Sequence, residues 1–537
     1  MSAAATSSHD VLVIGSGAGG AAVCARLAEH GVRVLCLEQG DWVDPKLRPK
    51  WHPDWEVRGR RYWNPNPTRR GWNADYPVVN LGEDPVDSYL YNVVGGSTVG
   101  FGAQYWRFQP SDFRTRSLDG IGVDWPIAYE DLAPYYRMNE LILGMSGMAG
   151  DPAGPRREGE LPTPPVALGR LGRLWADAFH KLGWYWWVQD LAISTRPWGE
   201  NRAACLNRGF CAYGCPDSSL ATAEVTYWPL ALQRGVDLRT NARVREILID
   251  KRGRASGVLY YDENAKLHEA RASVVVLSGG GIGTPRLLMM SRSPAFPDGL
   301  ANSSGLVGRN LMVHVQSLIS GLFPDRTEID RGAWGGSVAT RHFYETAAAN
   351  NHLRGFILCG NRGWSPMNSA LQIAPWGPRH HETMERHLNR EGVIYMCGED
   401  EPEEINRVEL DWQNLDAFGL PGVQTYYRLS ENSLHLGMHA IRRAHELCEA
   451  AGAVEVRDTG LSPVFGWHLL GTARMGADPA TSVIDADHRS HDVPNLFIAD
   501  ASSMATGGAV NPAHTVQALG LRAADRIYAL RRELDGE

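Results

Sequence analysis

Short, wholly apolar runs punctuate the chain, and between them apolar residues recur at helical spacing. Val11–Ile14 ("VLVI") and residues 32–37 ("VRVLCL") predict buried strands. Ala21, Cys24, Leu27 and Ala28 mark the helix face between them that packs on a sheet. The pattern returns in "ASVVVLSGGGIGTPRLLMMS" (272–291): a buried strand, a glycine turn and a helix begun near Pro285. "ARVREILI" (242–249) predicts a further strand, "DWPIAYEDLAPYYRMNE" (124–140) a helix start with aromatic anchors, and Pro512 the beginning of a last helix. Strands alternating with helices place the chain in the α/β class.

Composition narrows this picture without redirecting it. At 537 residues the chain can hold two domains, or one α/β domain with a second inserted. It is 43% apolar and 21% charged, and no apolar run is long enough to span a bilayer, so no membrane insertion is expected. The start "MSAAATSSHD" lacks a basic segment and an apolar core, so a cytoplasmic location is expected. A net charge of −8 argues against nucleic acid and suits a neutral or cationic small substrate. Eight cysteines are too few for a disulfide framework. Three cluster in "CLNRGFCAYGC" as Cys205, Cys211 and Cys215. Paired Cys-x-x-Cys units and a fourth partner are missing there, so the expectation is a structural loop and no metal.

The first chemistry-bearing motif is Gly15, Gly17 and Gly20, a GxGxxG lying between strand and helix. Gly15 permits the tight turn, Gly17 lets the backbone approach a pyrophosphate, and Gly20 lets the helix pack closely on the sheet. The helix N-terminus then faces the anion. Glu38 closes the second strand, where a carboxylate can accept ribose hydroxyls and repel a 2′-phosphate. These residues predict dinucleotide binding. No second such unit follows for a separate nicotinamide cofactor.

Further segments extend the pattern: "YNVVGGSTVGFGAQYWR" (91–107), "GLVGRNLMVH" (305–314), "NRVELDWQNLDAFGLP" (406–421), "GWHLLGTARMG" (466–476) and "NLFIADASSMATGGAVNPAHTVQALGLRAAD" (495–525). Together with the cradle, the chain resembles the glucose–methanol–choline (GMC) oxidoreductases, FAD enzymes that oxidise alcohols. Its nearest flavour is the bacterial sugar-oxidising branch around gluconate dehydrogenase and pyranose oxidase. The likeness runs in order from residue 10 to 525 and thins through 145–230 and 320–395. It implies FAD, with Gly15, Gly17, Gly20 and Glu38 at the ADP moiety and Val244 at the adenine. Gly95, Gly96 and Ser97 are implied near the flavin ring or pyrophosphate, and Asp500 with Ala501 near the ribityl chain. Some relatives attach FAD through a histidine shortly after the "VGG" turn; here Gly100 stands about there, so non-covalent FAD is expected.

Alcohol oxidation by hydride transfer to flavin N5 needs a base for the hydroxyl proton and a donor for the developing alkoxide. By position in the family, His468 takes the base role and Asn511 the partner role, with His514 a rival for the second. The resemblance implies a Rossmann-like FAD domain built from residues 1–45, 85–125, 235–320 and 460–537. An interleaved α+β substrate domain with an antiparallel sheet then fills 46–84, 126–234 and 321–459.

Residues 41–75 carry Trp42, Trp51, Trp55, Trp63 and Trp72, and 184–198 add "WYWW" and Trp198. Such rings stack on sugars, and they also pack loops and oligomer interfaces. The acidic run "GEDEPEE" (398–404) reads as a solvated loop or a holder for a cationic group. The expected substrate is a polyhydroxylated small molecule: a sugar, glycoside or aminoglycoside-like compound. The motifs do not specify the electron acceptor (oxygen, quinone or other), and an oligomer is compatible with them. Three alternatives stay open: a hydroxynitrile-lyase-like enzyme with structural FAD, a sterol oxidase, and a flavin-binding protein without catalysis.

Overall fold

The computed structural model describes residues 9–49, 54–329, 331–372, 376–461 and 464–535. The strand predicted at 242–249 pairs antiparallel with Ala255–Tyr261 in a separate sheet, while the other three predicted strands join two more in one parallel five-stranded sheet. Its order is Leu496–Ile498, Val274–Leu277, Val11–Ile14, Val34–Leu37 and Asp237–Arg239. The first four strands are buried along their whole length, as strands covered on both faces must be. Helix Ala18–Glu29 covers the sheet, and the last helix, Ala513–Asp535, crosses it. The crossing is close because a Cβ at Gly520 would lie 2.7 Å from the Gly19 carbonyl oxygen.

A second sheet is antiparallel. Its order is Glu455–Asp458, Val315–Leu322, Glu391–Gly398, Phe356–Asn361, Val338–Thr340 and Trp187–Val188. Strand alternation gives it two jobs. Val315, Ile319, Ile394, Met396, Phe356 and Leu358 pack beneath helices Gly169–Leu182 and Glu431–Ala450. Gln316, Leu318, Val393 and Tyr395 point the other way, into a cavity between the sheets.

The helix expected near Pro285 starts earlier, at Gly280, and carries Pro285 inside it. Proline has no N–H to offer the carbonyl four residues back, that of Gly281. Thr472 Oγ1 donates to that carbonyl instead, at 2.7 Å. The "HLLGTARMG" segment thus repairs the cofactor-side helix. No helix among the described residues is long and apolar enough to cross a membrane.

Candidate active site

One cavity of about 650 Å³ runs from the glycine turn to His468 and Asn511. At its first end Gly15 holds φ +98°, and a Cβ there would lie 2.4 Å from the Ser278 carbonyl oxygen. A Cβ at Gly20 would lie 2.0 Å from the Gly15 carbonyl oxygen. Both positions are therefore closed to side chains by the protein itself, and Gly20 does not reach the cavity. Gly17 differs: its nearest obstacle is Gly96 Cα at 3.7 Å, and it leaves the helix start without a side-chain cap. Gly17, Ala18 and Gly19 line the cavity, so the free N–H groups of the first turn open onto it.

Glu38 lines the cavity and is buried. Its carboxylate accepts from Ser16 N (2.9 Å), Ser16 Oγ (2.6 Å) and Gly40 N (2.9 Å). Burial pushes its pKa up against those bonds. Gly95 and Gly96 take φ +92° and +54°, which sets Gly96 and Ser97 on the cavity wall while Gly95 backs onto Glu224. Val244 lines the wall from strand Arg243–Ile249, with Ala242 beside it. Asp500 and Ala501 also line it, but the Asp500 carboxylate is committed to Gly280 N, Thr284 Oγ1 and the Ser502 backbone and hydroxyl. An uncapped helix start, a slot between two glycines and a carboxylate at the strand end fit a dinucleotide.

At the far end His468 is buried, and its Nε2 lies 3.3 Å from Asn511 Nδ2. Burial, reinforced by a neighbouring histidine, holds its pKa well below the ordinary value, so the ring is neutral. Asn511 sits just before the last helix, whose Val516 N–H already bonds Pro512 O, and its Oδ1 has no partner among the described residues. His514 points elsewhere: it is buried, stacks on Tyr105 at 5.2 Å, and its Nε2 faces Tyr136 O at 3.3 Å. Burial lowers it to about 3.

Two residues not singled out from the sequence stand behind His468. His314 Nδ1 is 3.0 Å from His468 Nδ1, and with Cys397 the three offer potential ligand atoms within 4.8 Å. The two nitrogens already bond each other, and burial pushes the Cys397 thiol up to about 12. A neutral hydrogen-bonded pair beside a neutral thiol is the chemistry present. His314 was within reach of the sequence as the end of "GLVGRNLMVH", but nothing local to that segment points at His468.

The tryptophan-rich excursion packs mostly on aromatic and basic side chains, several of them from outside it. Trp55 lies against Phe210 and Tyr213, and Trp72 against Tyr62 and the Arg70 guanidinium. Among the described tryptophans of this group Trp63 lines the cavity, its indole N–H donating to Leu47 O. Trp184 packs on Phe343, while Trp187 and Trp198 donate to backbone carbonyls. Trp51 lies outside the described residues. Trp334, Trp364 and Trp467 line the cavity instead. The acidic run is neither a solvated loop nor a holder of ligand charge at its start. Glu399 is buried in an ion pair with Arg354 (2.6 Å), and buried Asp400 accepts from Val313 N and Tyr427 OH. Cys205, Cys211 and Cys215 pack with Leu191, Ile193 and Trp334, all three as free thiols.

Family models described as GMC oxidoreductase match residues 184–316 and 402–520, and one for an NAD(P)-binding Rossmann-like domain matches 13–43. The chain is 44% identical to a 2-methyl-1,2-propanediol dehydrogenase of Mycolicibacterium austroafricanum, over 96% of this chain and 95% of the relative.

This chain belongs to the GMC oxidoreductase family.

A second GMC relative, the 6'''-hydroxyparomomycin C oxidase of Streptomyces lividus, is 32% identical over 96% of this chain and 91% of its own. The fold matches the crystal structure of pyridoxine 4-oxidase from "Mesorbium loti" with a TM-score of 0.64 at 17% identity, covering 97% and 99% of the two chains. As a GMC oxidoreductase the chain is an FAD enzyme acting on the CH–OH group of alcohols.

Proposed function

We propose that this GMC enzyme oxidises one hydroxyl of a sugar, glycoside or aminoglycoside-like substrate to a carbonyl, with His468 as base, Asn511 as its partner and FAD held without a covalent bond. The observation that carries the reading is the His468 Nε2–Asn511 Nδ2 pair, 3.3 Å apart in a cavity continuous with the glycine cradle. A 3.3 Å contact is weak enough for a substrate oxygen to replace. That oxygen would give its proton to the neutral Nε2 and accept from Nδ2 as negative charge develops on it. Bound FAD would supply the two-electron acceptor for the hydride leaving the carbinol carbon.

The polar walls support a polyhydroxylated substrate: Gln104 and Asn361, bonded to each other at 3.2 Å, line the cavity beside Gln316, whose Oε1 can accept a ring hydroxyl while its Nε2 stays on Val313 O and Phe465 O. Non-covalent FAD is supported by Gly100, where a Cβ would already crowd Tyr91 at 3.0 Å. The nucleotide-binding pieces are proposed as 1–45, 85–125, 235–320 and 460–537. The five strands of the parallel sheet all fall within three of them, while strand Val315–Leu322 of the antiparallel sheet straddles the boundary at 320. A small vicinal diol is the second reading, favoured by the 44% identical diol dehydrogenase.

Anaerobic mixing decides between them. The oxidised flavin band is followed while sugars, aminoglycosides and 2-methyl-1,2-propanediol are added in turn. Bleaching by the polyols with the diol inert supports the first reading; bleaching by the diol alone replaces it with the second. Inertness toward every alcohol would overturn both. Admitting air then shows whether oxygen is the acceptor, and acid precipitation that leaves the yellow colour in the pellet would refute non-covalent binding.

A further inference from the structure

His314 never reaches the cavity, yet its surroundings leave it little freedom. It holds φ +64°, a left-handed conformation that costs a non-glycine residue energy unless its setting compensates. The preceding N–H, of Val313, is tied to buried Asp400 at 3.0 Å. The imidazole itself is fully buried. Its Nε2 faces two carbonyl oxygens, Gly508 O at 2.8 Å and Gly507 O at 3.1 Å. A carbonyl oxygen only accepts, so Nε2 must carry the hydrogen.

Burial holds the His314 pKa down to about 4, so near neutral pH the ring has one proton, already placed on Nε2. Its Nδ1 is then a bare lone pair, 3.0 Å from His468 Nδ1 with the rings at 88°. Only His468 can donate across that gap. Among the described residues the titratable side chains beside the pair are Cys397 and Tyr395, both kept neutral by burial, while Asp400 is held on the Val313 N–H and Tyr427 OH.

We propose that His314 is a positioning residue that selects the Nδ1–H tautomer of His468, leaving Nε2 as the lone pair that takes the substrate proton. The proposal rests on the reading of His468 as base. In the step itself the substrate O–H breaks and an Nε2–H bond forms on His468. The resulting imidazolium still donates through Nδ1–H to neutral His314. The Nε2–H of His314 stays on the glycine carbonyls throughout. The segment supplying those carbonyls also delivers Asn511, so one stretch of backbone sets both the tautomer and the group facing Nε2. A Cβ at Gly507 would lie 3.1 Å from His314 Nε2, which is why the approach needs glycine there.

Long-range 15N–1H correlation of the 15N-histidine-labelled holoenzyme tests this without turnover. The His468 signal is identified by its loss in His468→Gln. Expected are a protonated Nδ1 and a bare Nε2 for His468, and the reverse for His314; a protonated Nε2 on His468 overturns the proposal. Variants give a second readout. His314→Asn keeps an acceptor near Nδ1 and suits the left-handed backbone; His314→Leu removes the acceptor at similar size. With flavin content as the check on folding, flavin bleaching by the member of the sugar, aminoglycoside and diol panel that bleaches the wild-type holoenzyme should slow about 10²-fold in the Leu variant and less than about tenfold in the Asn variant. Wild-type bleaching in His314→Leu would also overturn it. His468→Ala separates the two ideas: undiminished bleaching there defeats the base assignment itself, whereas a dead His468→Ala with the wrong tautomer in the wild type defeats only the role of His314.

Discussion

The two ends of the cavity are built on opposite principles. The cradle works by what is missing: Gly15, Gly17, Gly20 and Gly96 keep side chains out of a turn, and the groups offered there are backbone N–H. The reaction end works by what is present, since His314, His468 and Asn511 each place a specific atom within 3.0–3.3 Å of the next. The cradle's turn, Gly15 to Gly20, is assembled from neighbours in sequence, with Gly96 brought to it from a distant segment. The reaction end joins residues 154 and 43 positions apart. Errors should therefore cost binding and folding at one end and rate alone at the other.

The largest effect is expected within the cradle, where two glycines should part company. Gly15→Ala forces a left-handed alanine against the Ser278 carbonyl, and we expect little folded holoenzyme. Gly17→Ala meets nothing closer than 3.7 Å, so the chain should fold with an unshifted apo melting temperature and lose FAD affinity. Flavin-to-protein ratio and thermal melts on both variants check this; equal damage from both would dissolve the distinction between packing glycine and ligand-facing glycine.

At the other end His468→Ala should lower kcat by about 10²–10⁴-fold while retaining stoichiometric FAD. Its pH dependence sharpens the point. The active form is the neutral one and its pKa is depressed, so activity is present above that depressed value and lost as pH falls through it. kcat/KM should stay level as pH is lowered through 6.5, the ordinary histidine value, and decline only well below it. A limb centred near 6.5 would mean an unperturbed base. Asn511→Ala should be milder, about 10- to 100-fold in kcat, the worth of one hydrogen bond to a developing charge. The smallest effect is reserved for the repair between the two ends. Thr472→Val leaves the Gly281 carbonyl without its donor and should lower the melting temperature by about 1–3 °C, with kcat nearly unchanged.

Legibility in the sequence follows the same division. The strands at 11–14 and 274–277 announce themselves as unbroken apolar runs, and the glycine turn with Glu38 is readable because its parts are local. His468 and Asn511 came from position within a family pattern, since no local rule couples residues so far apart. His314 stayed hidden for that reason: its partner is chosen by how the strand at 315–322 seats against the "GWHLLGTARMG" segment. Composition misled in two places. Trp55 and Trp72 found tyrosine, phenylalanine and arginine neighbours rather than the cavity, because large apolar faces bury wherever the loop lets them meet a partner. The acids at 399 and 400 became buried because Arg354 and the Val313 amide supply partners that charge density cannot reveal. Pro285, read as a helix start, sits inside the helix because a distant threonine replaces the bond it cannot make.

The parallel sheet also has a history in time. Its central strand is made at residue 11 and an edge strand at residue 496, 485 residues later. At about 5–20 residues per second of synthesis, roughly 25–100 s pass between them. Asp500, Ala501 and Asn511 emerge later still. A nascent chain carries the glycine turn long before it has a closed slot to hold FAD. Flavin loading thus waits for the residues around 496–516, and the yellow colour of this enzyme reports that helix Ala513–Asp535 has docked.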